Sequence, residues 1–413
     1  MINRRDTLIG LAGLAGALAS ARAQGTEVVI GAIYPMTGPT AQVGTDAKHA
    51  FDTALEVINT ATNLELPTAK NAGLAGLGGA KVRIVYADHQ ADPQKGRAEA
   101  ERLITQEKVA AIVGCFHSSV STTVSATCER YGVPFVCADS SSPSLHRRNL
   151  KFFFRTAAHD EMFSEAMFNF LDALKAKGQK IGSVGLFYED TIFGTDSSNV
   201  QRKLATERGY KVACDIKYRN SSPSLTAEVQ QIKSANPDVL MPSSYTTDAI
   251  LLVKTMGELG YKPKSIIAQA AGFVEKPTLD AVGDKLNGMI TRASFSVDLG
   301  EKRASAHAVN EKFKARAGRD LNDQTSRQFT ALIVLADAID RARSTDGQKV
   351  RDALAATDIP GDKTIMPWSR VKFGADGQNT FASPVLIQYA GNRFVTVYPF
   401  EVAAGAAKWP MSA

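Results

Sequence analysis

The sequence predicts an α/β fold built twice over, and three observations lead there. Short apolar runs alternate with stretches of helical periodicity along most of the chain. The apolar runs are nearly continuous rather than alternating, as in a parallel sheet covered on both faces. The alternation restarts at 152–158 with Phe152, Phe153, Phe154, Arg155 and Thr156, which sets off a second α/β set. The size agrees: 413 residues correspond to two or three domains. With 44% hydrophobic and 22% charged residues, the chain has ordinary globular usage, not that of a disordered or collagen-like protein.

The first set opens with a β-branched run at 28–33 that ends in a Pro-Met-Thr-Gly-Pro turn. A helix is predicted over 40–59 from the spacing of Val43, Ala47, Ala50, Phe51, Ala54, Leu55 and Ile58. A polar, Gly-rich connection fills 60–80, and its 73–79 piece reads as an extended, hairpin-like link. A strand at 82–87 follows, then a helix over 93–107 with Pro93 in its first turn. Strands at 109–115 and 133–138 flank a helix over 118–131. The second set has predicted strands near 181–187, 211–217, 238–242 and 265–270. Its helices lie near 159–176, 194–208, 223–235 and 246–259. A longer strand-like stretch covers 286–296, with helices near 303–316, 324–343 and 347–356 after it. Gly391 and Asn392 between two apolar runs predict a closing hairpin.

The N-terminus reads as a targeting segment. Arg4 and Arg5 precede an apolar run over 8–19, and Ala21, Arg22 and Ala23 form a small-x-small cleavage site. That run is shorter than the about 20 residues a membrane span needs. Residues 1–23 are therefore expected to be a signal peptide directing export to a periplasm. The paired arginines allow the twin-arginine route, and the general secretory route stays open. Removing 1–23 takes away Arg4, Arg5, Arg22 and Asp6, so the net charge falls from +6 to +4. No basic run with interleaved aromatics exists, which argues against nucleic acid. In an oxidising compartment Cys115, Cys128, Cys137 and Cys214 could pair, with Cys115 and Cys137 the most plausible partners; buried thiols are the other reading.

Catalytic signatures are scarce. The chain has no P-loop, no G-x-S-x-G elbow and no dinucleotide fingerprint. His49, His89, His117, His146, His159 and His307 are scattered without metal-ligand spacing, so neither a metal nor a cofactor is expected. The informative pattern is hydroxyl clusters at strand ends, where open α/β sheets bind ligands. The strand at 109–115 runs into Ser118 and Ser119, the next into Asp139, Ser140, Ser141 and Ser142, and a third into Ser243, Ser244, Tyr245, Thr246 and Thr247. Hydroxyls and free N–H groups at helix N-termini favour an anionic group, although each can equally be a helix cap.

At these positions the chain resembles, over nearly its whole mature length, the periplasmic binding proteins for leucine, isoleucine and valine. These are solute-binding subunits of ATP-driven importers. The resemblance rests on Ile30 through Pro39, Ala41 to Gly44, Asp88 to Pro93, Ile112 to Gly114 with Ser118 and Ser119, Pro134 to Val136, Phe193 with Gly194, and Thr330 to Leu332. It implies the type I periplasmic binding protein fold, two doubly wound α/β lobes joined by a three-crossing hinge that closes on ligand. Lobe 1 would comprise 24–154 and 291–380, and lobe 2 would comprise 155–290 and 381–413. The implied ligand-binding residues are Ser118, Ser119, Asp139, Ser141 and Val43 from lobe 1, with Phe193, Tyr245 and the backbone at Gly272 from lobe 2. The implied partners are a small carboxylate-bearing ligand, such as an apolar amino acid or related organic acid, and a membrane permease; the protein would be a monomer and not an enzyme. One position departs from the pattern. Ala271 stands where amino-acid-binding members carry an acid for the ligand ammonium. Either Asp139 takes that pairing or the ligand is not an α-amino acid. A ligand sensor of the same fold, and a secreted hydrolase using Ser118 or Ser141, are the alternative readings.

Overall fold

The computed structural model describes residues 27–411. The expected signal peptide, 1–23, lies outside the described residues. Five strands form the first sheet: β1 (Val28–Tyr34), β2 (Val82–Asp88), β3 (Ala111–Gly114), β4 (Phe135–Cys137) and β5 (Phe153–Arg155). They run all parallel in the order β2-β1-β3-β4-β5. Between them lie α1 (Ala41–Asn59), α2 (Pro93–Thr105) and α3 (Ser118–Tyr131). Helix α1 turns Val43, Ala47, Ala50, Phe51, Ala54, Val57 and Ile58 into the core. Helix α2 starts where it does because Asp92 accepts from the N–H groups of Gln94 and Lys95 while Pro93 needs no partner.

From β5 the chain passes into α4 (Asp160–Ala176) and a second sheet. Its parallel strands are β6 (Ser183–Glu189), β7 (Lys211–Tyr218) and β8 (Val239–Ser243), with α5 (Ile192–Glu207), α6 (Thr226–Ala235) and α7 (Thr246–Glu258) as crossovers. A Leu240–Ile266 bridge extends that sheet to β9 (Ile267–Ala268). Strand β10 (Ile290–Ala293), reached through α8 (Lys276–Val282), pairs parallel with β9. The chain then returns to the first lobe, where α10 (Ala304–Ala317) and α11 (Asp323–Ala342) pack on α1 after a single turn, α9 (Val297–Gly300). After α12 (Gly347–Ala355) a small hairpin forms from β11 (Asp358–Pro360) and β12 (Arg370–Lys372). The last two strands, β13 (Val385–Ala390) and β14 (Arg393–Tyr398), rejoin the second sheet antiparallel beside β10.

The double α/β reading holds, with local differences. The strand expected over 286–296 shortens to β10, because a 3-10 turn at Gly283–Leu286 precedes it and the chain leaves the sheet after Ala293. The strand expected over 265–270 shortens to β9, since Ala270 and Ala271 adopt left-handed φ values of 46° and 47° and turn the chain away. The Gly-rich link is a loop closed by a Leu74–Ala80 bridge around a 3-10 turn. All four cysteines are free thiols, and Cys115, Cys128 and Cys137 are buried.

Candidate ligand-binding site

A small cavity of about 10 Å³ lies between the carboxyl-end loops of the two sheets. It is lined by Phe116, Ser118, Asp139, Ser141, Phe193, Tyr245, Ala271, Arg292, Gln324 and Arg327. Five of the residues singled out from the sequence meet there: Ser118, Asp139, Ser141, Phe193 and Tyr245. Ser118 opens α3 directly after β3, and Asp139 and Ser141 follow β4. Phe193 lies in the first turn of α5, and Tyr245 is the N-cap of α7.

Three sequence-derived residues stand outside this lining. Val43 faces the hydrophobic core from α1, because its helical spacing aligns it with Ala47 and Ala50. Ser119 is half-buried, one residue round α3 from Ser118 and turned to another side. Gly272 acts behind the wall: a Cβ there would sit 2.4 Å from the Tyr245 carbonyl carbon, so glycine allows the two segments to meet. The Gly272 N–H donates to the Ser244 carbonyl at 3.0 Å, which fixes that approach.

One wall is aromatic. Tyr245 sits 5.2 Å from Phe193, 5.4 Å from Phe116 and 4.6 Å from His117, centre to centre, so rings of both lobes meet on one phenol. Such tilted arrangements are attractive beyond their buried area. Burial drives the Tyr245 phenol and its pKa well above the ordinary value. The same burial pushes His117 below its ordinary value, so that imidazole is neutral.

The opposite wall is ionic and largely escaped the sequence reading. Arg292 lies on β10 and Arg327 on α11, each 2% exposed. Arg327 is fully engaged. Its Nε and Nη2 donate to the main-chain oxygen and Oδ2 of Asp323, at 3.0 and 2.9 Å, and its Nη1 donates to the Asp139 carbonyl at 3.0 Å. Arg292 is not. Its Nη2 reaches Ser141 Oγ at 3.4 Å, its Nη1 lies 3.6 Å from Asp323, and its Nε and Nη1 have no hydrogen-bond partner. Burial and the neighbouring Arg327 lower its pKa to about 10, which still leaves it charged at neutral pH.

Asp139 is clamped on one oxygen only. Oδ2 accepts from the Tyr34 hydroxyl at 2.8 Å and from Gln328 Nε2 at 3.0 Å, while Oδ1 has no partner. Burial raises its pKa against the opposing pull of Arg327. Nearby, Glu275 accepts from Thr246 on the second lobe and, at 3.4 Å, from Gln324 Nε2 on the first. Burial raises the Glu275 carboxyl to about 7. An arginine inside the apolar run of β10, and an Asp323/Arg327 pair one helical turn apart, are the signals that could have found the ionic wall.

Two histidine pairs that are distant in sequence come together: His89 with His117 at 5.3 Å, and His146 with His159 at 4.7 Å. His146, His159 and Glu161 offer ligand atoms within 4.8 Å of one another. Arg155 Nη2 donates to His146 Nδ1 at 2.6 Å, however. That fixes the proton on Nε2 and leaves His146 no lone pair for a metal.

Residues 27–390 match the model of the family described as periplasmic binding protein. A relative named Leu/Ile/Val-binding protein homolog 7, from Brucella suis biovar 1 (strain 1330), is 28% identical over 413 residues, covering 96% of this chain and 98% of its own. A leucine binding protein from Thermotoga maritima MSB8 superposes with a TM-score of 0.76 at 23% identity, covering 89% of this chain and 97% of its own. An ABC transporter solute binding protein from R. palustris in complex with benzoate superposes with a TM-score of 0.75 at 17% identity, covering 94% and 99%. Likeness at these identities carries the fold, and the two-lobed α/β architecture agrees with both structures. With a family match across nearly all described residues and a cavity where the two sheets face each other, the chain belongs to the periplasmic binding protein family.

Proposed function

We propose that this protein is the solute-binding subunit of an ATP-driven importer, taking a small carboxylate-bearing ligand into the cleft between its lobes and handing it to a membrane permease. The observation that carries the reading is the cavity between the two sheets, with an aromatic wall on one side and a buried, incompletely partnered Arg292 on the other. Ligand sites combine an apolar body with a few placed polar groups in this manner. The ligand is a branched-chain or other apolar amino acid, or a related organic acid. The names of the relatives, which refer to leucine, isoleucine, valine and benzoate, support that range. The carboxylate meets Arg292, Ser141 and the N-terminal turn of α3 at Ser118; Phe193 and Tyr245 flank the body of the ligand. No covalent step is assigned to any residue.

The lobes are divided as 24–154 with 291–380 and 155–290 with 381–413, and closure turns about the three connections. Rings and polar groups that meet across the cleft, such as Phe116 with Tyr245 and Gln324 with Glu275, support closure on ligand. Residues 1–23 direct export to the periplasm and are removed, and the mature protein works as a monomer.

A thermal-shift screen with amino acids, aromatic carboxylates, dicarboxylates and amides tests the reading. A ligand at 100 times its dissociation constant stabilises by about 2.7 kcal/mol. Stabilisation by a carboxylate is expected, and no response to any of these classes would refute the proposal.

A further inference from the structure

Three ionisable groups other than the Tyr245 phenol line the cavity: Asp139, Arg292 and Arg327. Arg327 has every nitrogen committed to Asp323 or to the Asp139 backbone. Among the charged lining groups, the unmet hydrogen-bonding capacity therefore falls on two of opposite charge, with the neutral Gln324 Oε1 also lacking a partner. Arg292 presents Nε and Nη1, two donors on different edges of the guanidinium, and Asp139 presents Oδ1, an acceptor. A buried polar group without a partner is costly, and a charged one more so. A ligand able to fill both needs carries an acceptor group at one point and an N–H donor at another.

We propose that Arg292 and Asp139 sort ligands by charge: Arg292 holds the carboxylate, Asp139 Oδ1 takes an N–H donor of the same molecule, and a carboxylate without that donor enters only with a proton on Asp139. This deepens the carboxylate reading and rests on it. The donor is the α-ammonium in an amino acid, so Asp139 does the work that Ala271 leaves undone on the second lobe.

The surroundings of Asp139 explain why a proton is the substitute. Arg327 and Asp323 face it from α11, and Arg292 faces it from β10. Tyr34 and Gln328 donate to it, Cys115 and Cys137 lie at the adjoining strand ends, and Glu275 approaches from the second lobe. Arg327 is already shared with Asp323, 2.9 Å from it, and lies farther from Asp139 Oδ1, at 3.9 Å. A second negative charge brought in by a plain carboxylate has no unshared cation left after Arg292. Protonation of Asp139 then removes the repulsion and makes Oδ1 or its proton available to the ligand. Burial raises the pKa of this carboxyl, the direction that favours its protonated form.

Titration calorimetry on the mature protein tests the proposal with two matched pairs: L-isoleucine with 3-methyl-2-oxopentanoate, and L-phenylalanine with phenylpyruvate. Each is run at one pH in HEPES and in Tris, so that the difference in heat counts protons. In the pair that binds, the amino acid is expected to bind about tenfold or more tightly than its 2-oxo analogue, the scale of one charge-assisted hydrogen bond. The 2-oxo acid is expected to take up a proton on binding, and the amino acid none. Asp139→Asn should abolish the proton uptake and reverse the preference, while Arg292→Gln should weaken both members alike. An unchanged preference in Asp139→Asn, or binding of the 2-oxo acid without proton uptake, overturns the proposal while leaving the carboxylate reading intact. If Asp139→Asn does not fold, the proton count on the wild type decides alone. If no acid of either pair binds the wild type and the thermal-shift screen responds only to uncharged compounds, the carboxylate reading fails and takes this proposal with it.

Discussion

The Arg292 guanidinium carbon lies 3.9 Å from the centre of the Phe163 ring. Phe163 is fully buried on α4, so the ring offers its face to a cation that has lost its water. A desolvated cation–π contact of this kind stabilises by about 2 kcal/mol, which helps to explain how β10 tolerates a charge among Ile290, Thr291 and Ala293. Replacing Phe163 by Leu removes the ring face and leaves a void. Urea unfolding should then show a loss of about 2 kcal/mol, with ligand affinity falling as Arg292 loses its seat. An unchanged midpoint would mean that the ring does not support the charge.

Tyr245 combines a packing role with a polar one. Tyr245→Phe keeps the ring against Phe193 and His117 and removes only the hydroxyl. Calorimetry with the tightest acid from the screen should show a loss of about 0.5–1.5 kcal/mol if the hydroxyl bonds a neutral group of the ligand. Equal affinity would show that the phenol only packs.

Gly272 can be tested without touching any ligand contact. Gly272→Ala forces a Cβ to within 2.4 Å of the Tyr245 backbone, and neither segment has a flexible end to yield. Overpacking costs about 1–3 kcal/mol. The melting temperature should fall, and affinity should fall with it as Tyr245 is displaced. A variant as stable and as tight as wild type would show that the segments part freely.

Glu275 makes stability depend on pH. Burial raises its carboxyl from the ordinary 4.5 to about 7, so between those values the folded protein keeps a proton that the unfolded chain releases. Its contribution is therefore complete below the unfolded value and is lost as pH rises through the folded one. Glu189, also raised to about 7 by burial, acts in the same direction. Melting curves of wild type and Glu275→Gln should diverge as pH rises from 5 to 8, with the variant losing less stability. Parallel curves would contradict the shift.

Maturation can be checked directly. N-terminal sequencing of exported protein should begin at Gln24, after Ala21, Arg22 and Ala23. An intact Met1 on exported protein would refute the cleavage.

What was legible in the sequence followed from periodicity. The helical spacing of Val43 to Ile58 and the apolar runs that became β1 and β3 depend on local pattern, and both lobes follow from it. The hydroxyl loops were legible because strand ends locate a pocket in any open α/β sheet. The ionic wall was not, because its members come from the loop after β4, from β10 and from α11, far apart in the chain. Arg292 looks like an intruder in a strand, and Arg327 like an ordinary surface residue of a helix, until the fold buries both beside Asp139. The same holds for β9, cut short by left-handed Ala270 and Ala271, since alanine gives no local warning of that conformation.

The most direct test of the account replaces only the charge on the ligand. The tightest-binding acid from the screen is titrated against wild type beside its primary amide, which matches it in shape but carries no charge. The account predicts that the amide binds at least about tenfold more weakly, because Arg292 then donates to a neutral group, and that Arg292→Gln narrows the gap. Equal affinity for acid and amide, or a gap that Arg292→Gln leaves unchanged, would contradict it.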